Sequence, residues 1–259
     1  MDLNEVPATP CRRHPWEVAR ARFFGKIVAE AIAPGAPARV LDVGAGDGYL
    51  ARSLLCGIPV GSSVACVDSN YTDAELQRFA SPPTAGLTFS RTRPVGRFDV
   101  ILLLDVIEHI ADDRAFLDEI IGGSLDRNGR VVVSVPAWDL LYGQHDLALK
   151  HFRRYQPAQC RALLQSAGLE IVHDGGLFHS LLLPRVLQRI AEAASGALRV
   201  GRDGRDRPAN LGEWRGGQLL SSLVTLALEA DTRLSTRLAR AGRAVPGLSY
   251  FAVCRKEAA

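Results

Sequence analysis

Three glycines at alternate positions, Gly44, Gly46 and Gly48, follow the apolar run Val40-Leu-Asp-Val43, and the carboxylates Asp42 and Asp47 stand beside them. Glycine lets a backbone bend at positive φ and lets a ligand approach the main chain where a Cβ would block it. A strand that runs into such a turn builds a ligand-binding loop. A second apolar run, Ser63-Val-Ala-Cys-Val67, ends on Asp68. A carboxylate about 20 residues past a glycine-rich strand-to-helix turn is placed to accept hydrogen bonds from ribose hydroxyls. The first chemistry legible here is the holding of a nucleoside cofactor.

The spacing also selects among such cofactors. A dinucleotide turn reads G-x-G-x-x-G and delivers a pyrophosphate to a helix N-terminus. Here the third position of that pattern is Tyr49, and two carboxylates flank the turn, where a pyrophosphate would be repelled and a cation attracted. A sulfonium or ammonium group suits it better, which leaves an NAD-dependent reductase as the weaker alternative.

Proton transfer near neutral pH calls for histidine. His109 follows an apolar run, Phe98 to Leu104, and His145 and His151 follow another, Gly129 to Val135, so all three belong at the carboxyl edge of a sheet. Each is a candidate general base, and His109 serves equally as a structural hydrogen-bonding group beside the cofactor. Arg153, Arg154 and Tyr155 adjoin His151 and would suit a phosphate or carboxylate on an acceptor; a solvated basic face is the plainer alternative. His145, Asp146 and His151 also make a chance set of metal ligands, but no metal is expected. Asp105 and Glu108 have a plain role as caps of the following helix.

The segment Val40 to Leu50, with Asp68, resembles the first two motifs of the class I S-adenosylmethionine-dependent methyltransferases. The likeness continues through Phe98-Asp-Val-Ile-Leu-Leu-Leu-Asp105, Val106-Ile-Glu-His-Ile110 and Gly129 to Pro136. It implies S-adenosylmethionine as cofactor: Gly44, Gly46 and Gly48 along its methionine part, Asp42 toward its ammonium side and Asp68 on the ribose. Arg20, Ala45, Tyr49, Ser69, Asp105, Val106 and Glu108 complete the implied set. After Leu87-Thr-Phe-Ser90 the chain departs from the family, because Arg91-Thr-Arg-Pro94 lacks the small-acidic pair that contacts adenine.

His14-Pro-Trp16 with Arg20 and Arg22, His145-Asp146, His151 to Tyr155 and the closing run Pro246 to Lys256 are similar to a bacterial branch of that family, some of it found near genes for glycan or lipid-linked sugar assembly. The branch implies O-methylation of a small-molecule, glycosylated or lipid-linked acceptor. A non-catalytic module that binds the cofactor or its demethylated product is the alternative from a different class.

These residues need a scaffold, and apolar periodicity supplies its outline. Trp16, Ala19, Phe23, Ile27 and Ala31 recur at helical spacing, and Pro34 and Pro37 end that helix. Helices are expected over 49–55, 72–79, 113–121 (closed by Gly122-Gly123) and 157–167, alternating with strands. That alternation predicts an α/β fold, Rossmann-like and doubly wound: a mostly parallel seven-stranded sheet with an antiparallel edge strand. Residues 1–15 are expected as an extended arm, and 16–176 with 247–259 as the cofactor-binding core. Residues 177–246 form a helical insertion before the last strand, far longer than a hairpin needs. Within it Gly201 to Pro208 is expected to be mobile. Leu181-Leu-Leu-Pro184 with Arg185 and Arg189 suits an acceptor lid first, and an interfacial helix making peripheral membrane contact or an oligomer surface second.

Composition narrows the class without naming it. The 259 residues are 47% hydrophobic, enough for one sizeable core. A net charge of +3 gives no reason to expect nucleic acid as partner. Five cysteines stand singly with no C-x-x-C pair, which fits a reducing, cytoplasmic setting rather than a disulfide framework. No secretory signal or membrane-spanning run is expected.

Overall fold

The computed structural model describes residues 13–198, 214, 216–243 and 245–257, with the side chains of 194–198 excepted. In chain order the elements are α1 (Pro15–Ala31), β1 (Arg39–Val43), α2 (Tyr49–Leu55), β2 (Ser63–Val67), α3 (Asp73–Phe79), β3 (Leu87–Ser90), β4 (Phe98–Leu104) and α4 (Asp113–Ser124). They continue with β5 (Leu125–Pro136), α5 (Gln144–Ala148), α6 (Pro157–Ser166), β6 (Leu169–Leu177), α7 (His179–Leu198), α8 (Gln218–Arg240) and β7 (Ser249–Lys256). The seven strands form one sheet in the order β3-β2-β1-β4-β5-β7-β6. β1 to β5 pair in parallel, and β7 runs antiparallel to both of its neighbours, β5 and β6. The expected Rossmann-like sheet is therefore present, with its antiparallel strand one place in from the edge.

Successive strand residues face opposite sides, so each central strand feeds two cores. Val40, Val100, Leu102, Val132, Phe251 and Val253 pack with α1, α2 and α8. Leu41, Ile101, Leu103, Val131, Val133 and Ala252 pack with α4 and α6. The central strands are apolar on both faces because both faces are covered. α8 belongs to the first layer: Leu228 and Ala239 are buried there, and Arg22–Glu229 and Arg240–Glu30 ion pairs tie it to α1. The second helix of the expected insertion thus covers one face of the sheet.

Local chemistry explains most helix starts. His14 caps α1, its ring accepting from Trp16 N while Glu17 returns a bond to the His14 backbone, and Pro15 opens the helix. α4 is capped by Asp112, which accepts from Ala115 N at 3.0 Å. The capping role considered for Asp105 and Glu108 is therefore corrected, since Asp112 sits one turn nearer. α4 also runs through Gly122 and Gly123 to Ser124 instead of closing before them. Arg97 explains the extension, donating to the Gly122 carbonyl at 2.6 Å and the Leu125 carbonyl at 3.1 Å, so the last turn's acceptors are satisfied without a glycine cap. α5 and a 3-10 turn over Ile107–His109 carry no periodic signal and were not expected. Of the expected arm over 1–15, residues 1–12 lie outside the described residues, as does the mobile segment expected at 201–208, while Pro15 already belongs to α1, whose first turn it opens.

Candidate active site

The strand order reverses between β1 and β4, and in open α/β sheets a ligand crevice opens outside the carboxyl ends of the strands at that point. Gly44 follows the end of β1 there, and Asp105 the end of β4. A cavity of about 820 Å3 occupies the crevice, bordered by Gly44, Asp68, Ser69, Asn70, Asp105 and Val106 at one end and by Glu108, His109, His145 and His151 at the other. Its volume lies within the range of small-molecule sites.

At the first end the glycine turn is set by sterics. Gly44 has φ +68° and a Cβ there would stand 2.8 Å from Val106 Cγ2; Gly48 has φ +71° and a Cβ there would meet the Phe89 ring at 2.6 Å. Only glycine fits both the dihedral and the space. The turn is pinned from below by Tyr71, whose hydroxyl donates to the Gly46 carbonyl. Asp68 follows β2 and accepts from Asn70 N at 3.0 Å, which fixes its carboxylate at the cavity wall. Asp42 lies buried under the turn, in a smaller recess with Ala45, Asp47 and Tyr49, and burial pushes its pKa up to about 6. Asp47 is paired with Arg13, whose guanidinium stacks 4.5 Å from the Tyr49 ring.

Asp105 takes the left-handed φ of 59°, an uncommon conformation for a non-glycine residue. Its carboxylate is anchored on both oxygens, by Ser134 Oγ at 2.9 Å and by Arg20 at 2.7 Å. Arg20 is itself buried between Trp16 and Phe24, 5.3 Å and 5.5 Å from their ring centres. Helix α1 thereby closes one wall of the crevice with Trp16, Glu17 and Arg20.

The second end is built on Asp146. This fully buried carboxylate accepts from His151 Nδ1 at 3.0 Å, Arg154 Nε at 2.8 Å, Gly143 N at 2.9 Å and Arg185 at 3.2 Å. Burial alone would raise its pKa; the bond from His151 and the charge of Arg154 outweigh that and hold it well below the usual carboxylate range. The His109 and His151 rings meet edge to face, 4.6 Å between centroids. Glu108 is fully buried beside them, and among the described residues neither of its carboxyl oxygens has a hydrogen-bond partner. Burial, with Asp105 nearby, pushes its pKa well above the ordinary value. His145 borders the same space, and burial lowers its pKa, so the neutral ring prevails at physiological pH.

The fold brings together most of the residues singled out in the sequence. Arg20, Gly44, Asp68, Ser69, Asp105, Val106, Glu108, His109, His145, His151 and Arg154 border the main cavity, and Asp42, Ala45 and Tyr49 the recess beside it. Gly46 and Gly48 shape the turn without lining either space. Arg153 and Tyr155 are directed elsewhere. Arg153 bonds Asp113 at 2.7 Å and the Ala111 carbonyl at 2.8 Å, and the Tyr155 hydroxyl bonds Asp113 at 2.7 Å. They brace the segment that carries His151 against α4 instead of facing an acceptor. Asp146, once a candidate metal ligand, has both oxygens committed to His151, Arg154, Arg185 and Gly143, which removes it from that role.

Arg185, Gln188 and Glu192 on α7 also border the cavity, along with Leu181. Leu181 and Arg185 were expected in an acceptor lid; Gln188 and Glu192 recur on the same helical face, a spacing present in the sequence but not singled out. The other face of α7 leaves Leu183, Leu187 and Ile190 exposed.

A family model described as a methyltransferase domain matches residues 16–174. Among solved structures, the chain is similar to an S-adenosylmethionine-dependent methyltransferase from Mesorhizobium loti, at 16% identity and TM-score 0.51 over 93% of this chain and 97% of that one. It is also similar to the [4+2]-cyclase SpnF, at 17% identity and TM-score 0.57 over 99% and 91% of the two chains. A third is the plantazolicin methyltransferase BpumL, at 12% identity and TM-score 0.54 over 94% and 85%. At such identities these likenesses establish the fold. No curated protein matches the chain.

Proposed function

We infer the reaction from one premise: this chain belongs to the methyltransferase domain family and is an S-adenosylmethionine-dependent methyltransferase. It moves the sulfonium methyl to an oxygen of a small-molecule acceptor held in the histidine-walled end of the cavity. The observation that carries this reading is the continuity of that cavity, from Gly44, Asp68 and Ser69 to His109, His145 and His151.

The residues at the first end fit the cofactor chemically. Asp68 suits the ribose hydroxyls, and the main chain at Gly44, kept bare of a Cβ by Val106, suits the methionine part. The buried carboxylate of Asp42 supplies negative charge beneath the turn, where a cationic ligand gains from it. Asn70, Arg91 and Arg93 border the cavity beyond Asp68 and suit the adenine in place of the absent small-acidic pair. The cofactor, when bound, supplies an activated methyl on sulfur, so the protein's task is to align the acceptor in line and exclude water.

An oxygen acceptor needs its proton drawn off as the methyl arrives, and this favours a hydroxyl for the second end. His151 is turned and held by Asp146, which fixes the proton on Nδ1 and leaves the lone pair on Nε2. His109 stands edge-on to it and His145 nearby. Arg185 and Gln188 on α7 suit acceptor contacts, with Arg154 behind them. The exposed leucines on the outer face of α7 favour an acceptor that arrives from an apolar surface, such as a lipid-linked sugar. The scattered cysteines, all free among the described residues, fit a reducing cytoplasmic site of action.

Calorimetric titration with S-adenosylmethionine and S-adenosylhomocysteine, followed by mass spectrometry of a hydroxylated acceptor panel, tests this directly. Micromolar binding and a product 14 mass units heavier, with the added methyl on oxygen, are the expected results. A folded sample that binds neither compound would overturn the reading.

A further inference from the structure

We propose that Glu108, His109 and His151 form a binding site for one divalent transition-metal ion at the acceptor end of the cavity. The acceptor's hydroxyl would be its exchangeable ligand, so that consequence rests on the O-methylation reading above, whereas the site itself does not.

The geometry comes first. Each of the three residues offers one ligand atom, and these atoms lie within 4.8 Å of one another. Their spacing is set by backbone: Glu108 and His109 share the 3-10 turn after β4, and the Phe152 N–H bonds the Glu108 carbonyl at 2.8 Å, clamping the His151 segment onto that turn. The ligands therefore come from two chain segments already fastened together.

A second, independent observation is the state of Glu108. A carboxyl group taken fully out of water is normally hydrogen-bonded or coordinated, because an uncompensated buried polar group is destabilising. Neither oxygen of Glu108 has a partner among the described residues, although the arginines Arg154 and Arg20 lie close enough to act on its charge. A cation between Glu108 and the two rings gives this carboxylate the partner it lacks.

A third observation is the orientation of His151. Metal-ligating histidines almost always give their other ring N–H to a carboxylate, which fixes the tautomer and strengthens the ligand nitrogen. Asp146 does this at Nδ1, and its own remaining capacity is filled by Arg154, Arg185 and Gly143, so it supports the ring without competing for the metal. Two imidazoles and one carboxylate favour Zn2+, Mn2+, Fe2+ or Co2+ over Mg2+ or Ca2+, which prefer all-oxygen sets. Three protein ligands leave positions open toward the cavity. With the ion in place the His151 Nε2 lone pair is given to the metal and that ring no longer serves as base, so a hydroxyl bound there loses its proton to solvent, the oxygen forms the new bond to the methyl carbon, and the carbon–sulfur bond breaks to leave a neutral thioether. The ion lowers the hydroxyl's proton affinity and is itself unchanged.

The test uses the full chain, stripped with chelator, and Co2+ as the probe. Saturation at one Co2+ per chain with visible ligand-field bands is expected, together with Zn2+-induced shifts of the His109 and His151 ring nitrogens but not of His145. Glu108→Gln and His109→Asn, each shown folded by circular dichroism, should weaken Co2+ binding about tenfold or more. Asp68→Ala should leave Co2+ binding unchanged while abolishing cofactor binding. A folded wild-type chain that gives no saturable Co2+ signal, or substituted chains that bind as the wild type does, would overturn the site. Cofactor binding measured on the same samples separates the two readings: retained cofactor binding without Co2+ binding leaves the methyltransferase reading intact and removes the metal.

Discussion

At the scale of the residue, three carboxylates with three environments divide the work. Asp68 is partly exposed at the cavity wall and held by Asn70 N, a placement suited to ribose. Asp68→Ala should abolish measurable S-adenosylmethionine binding in calorimetry and leave the melting temperature nearly unchanged, because little is packed on that side chain. Asp42 is buried, and in the free protein it titrates at about 6. Its ionised form is the one that attracts a cationic ligand, so cofactor affinity should be full above pH 7 and fall as the pH drops through 6. With roughly a tenth of the molecules ionised at pH 5, a loss of about tenfold is expected there; Asp42→Asn should bind weakly with a flat profile. Asp146 works through His151, not through the substrate. Asp146→Asn should lower turnover about 10- to 100-fold at unchanged cofactor affinity. A matched loss of cofactor binding would place Asp146 among purely structural residues.

At the scale of the element, the glycines separate shape from flexibility. Gly48 caps the start of α2 in the left-handed region with the Phe89 ring against it, while Gly122 lies inside α4 with open space where a Cβ would go. Gly48→Ala should cost about 2 kcal/mol or more from the dihedral and the contact together, and should weaken cofactor binding by shifting the turn. Gly122→Ala should instead stabilise by about 0.5–1 kcal/mol, since a helical position gains from a less flexible unfolded chain. Urea titrations of the two variants would show opposite shifts in midpoint. The same contrast shows what the sequence could and could not disclose about elements. Strand-to-helix turns announce themselves through glycine spacing, as Gly44 to Gly48 did. The continuation of α4 past two glycines depended on Arg97, 25 residues away in sequence, and no local pattern contains that bond.

At the scale of the whole molecule, the sites proposed for cofactor and acceptor lie in one crevice, bordered by residues at the sheet edge and on α1 and α7. Ligand bound only by the folded state stabilises it in proportion to the logarithm of concentration over Kd, about 2.7 kcal/mol at a hundredfold excess. S-adenosylhomocysteine at that excess should therefore raise the melting temperature by roughly 5–10 °C in a chain of this size. Differential scanning calorimetry with and without the ligand checks this, and the Asp68→Ala protein should show no rise.

The glycine turn proposed to hold the cofactor was legible in the sequence because its determinants are local: a strand, three glycines and an acidic residue after the next strand lie within Val40 to Asp68, and sterics dictate the shape of such a run. Apolar alternation likewise determined the parallel sheet, since a strand buried on both faces must be apolar on both. At the other end the sequence placed three histidines at one sheet edge, and the tertiary structure decided which of them touch. His109 and His151 stand 42 residues apart by their numbering and meet only because β4 and β5 lie side by side. It also decided between neighbours that the sequence could not separate, giving Arg154 to Asp146 and the cavity while turning Arg153 and Tyr155 to Asp113. Which way each of these arginines points is settled by the nearest carboxylate in three dimensions, and a one-dimensional spacing holds no record of that distance.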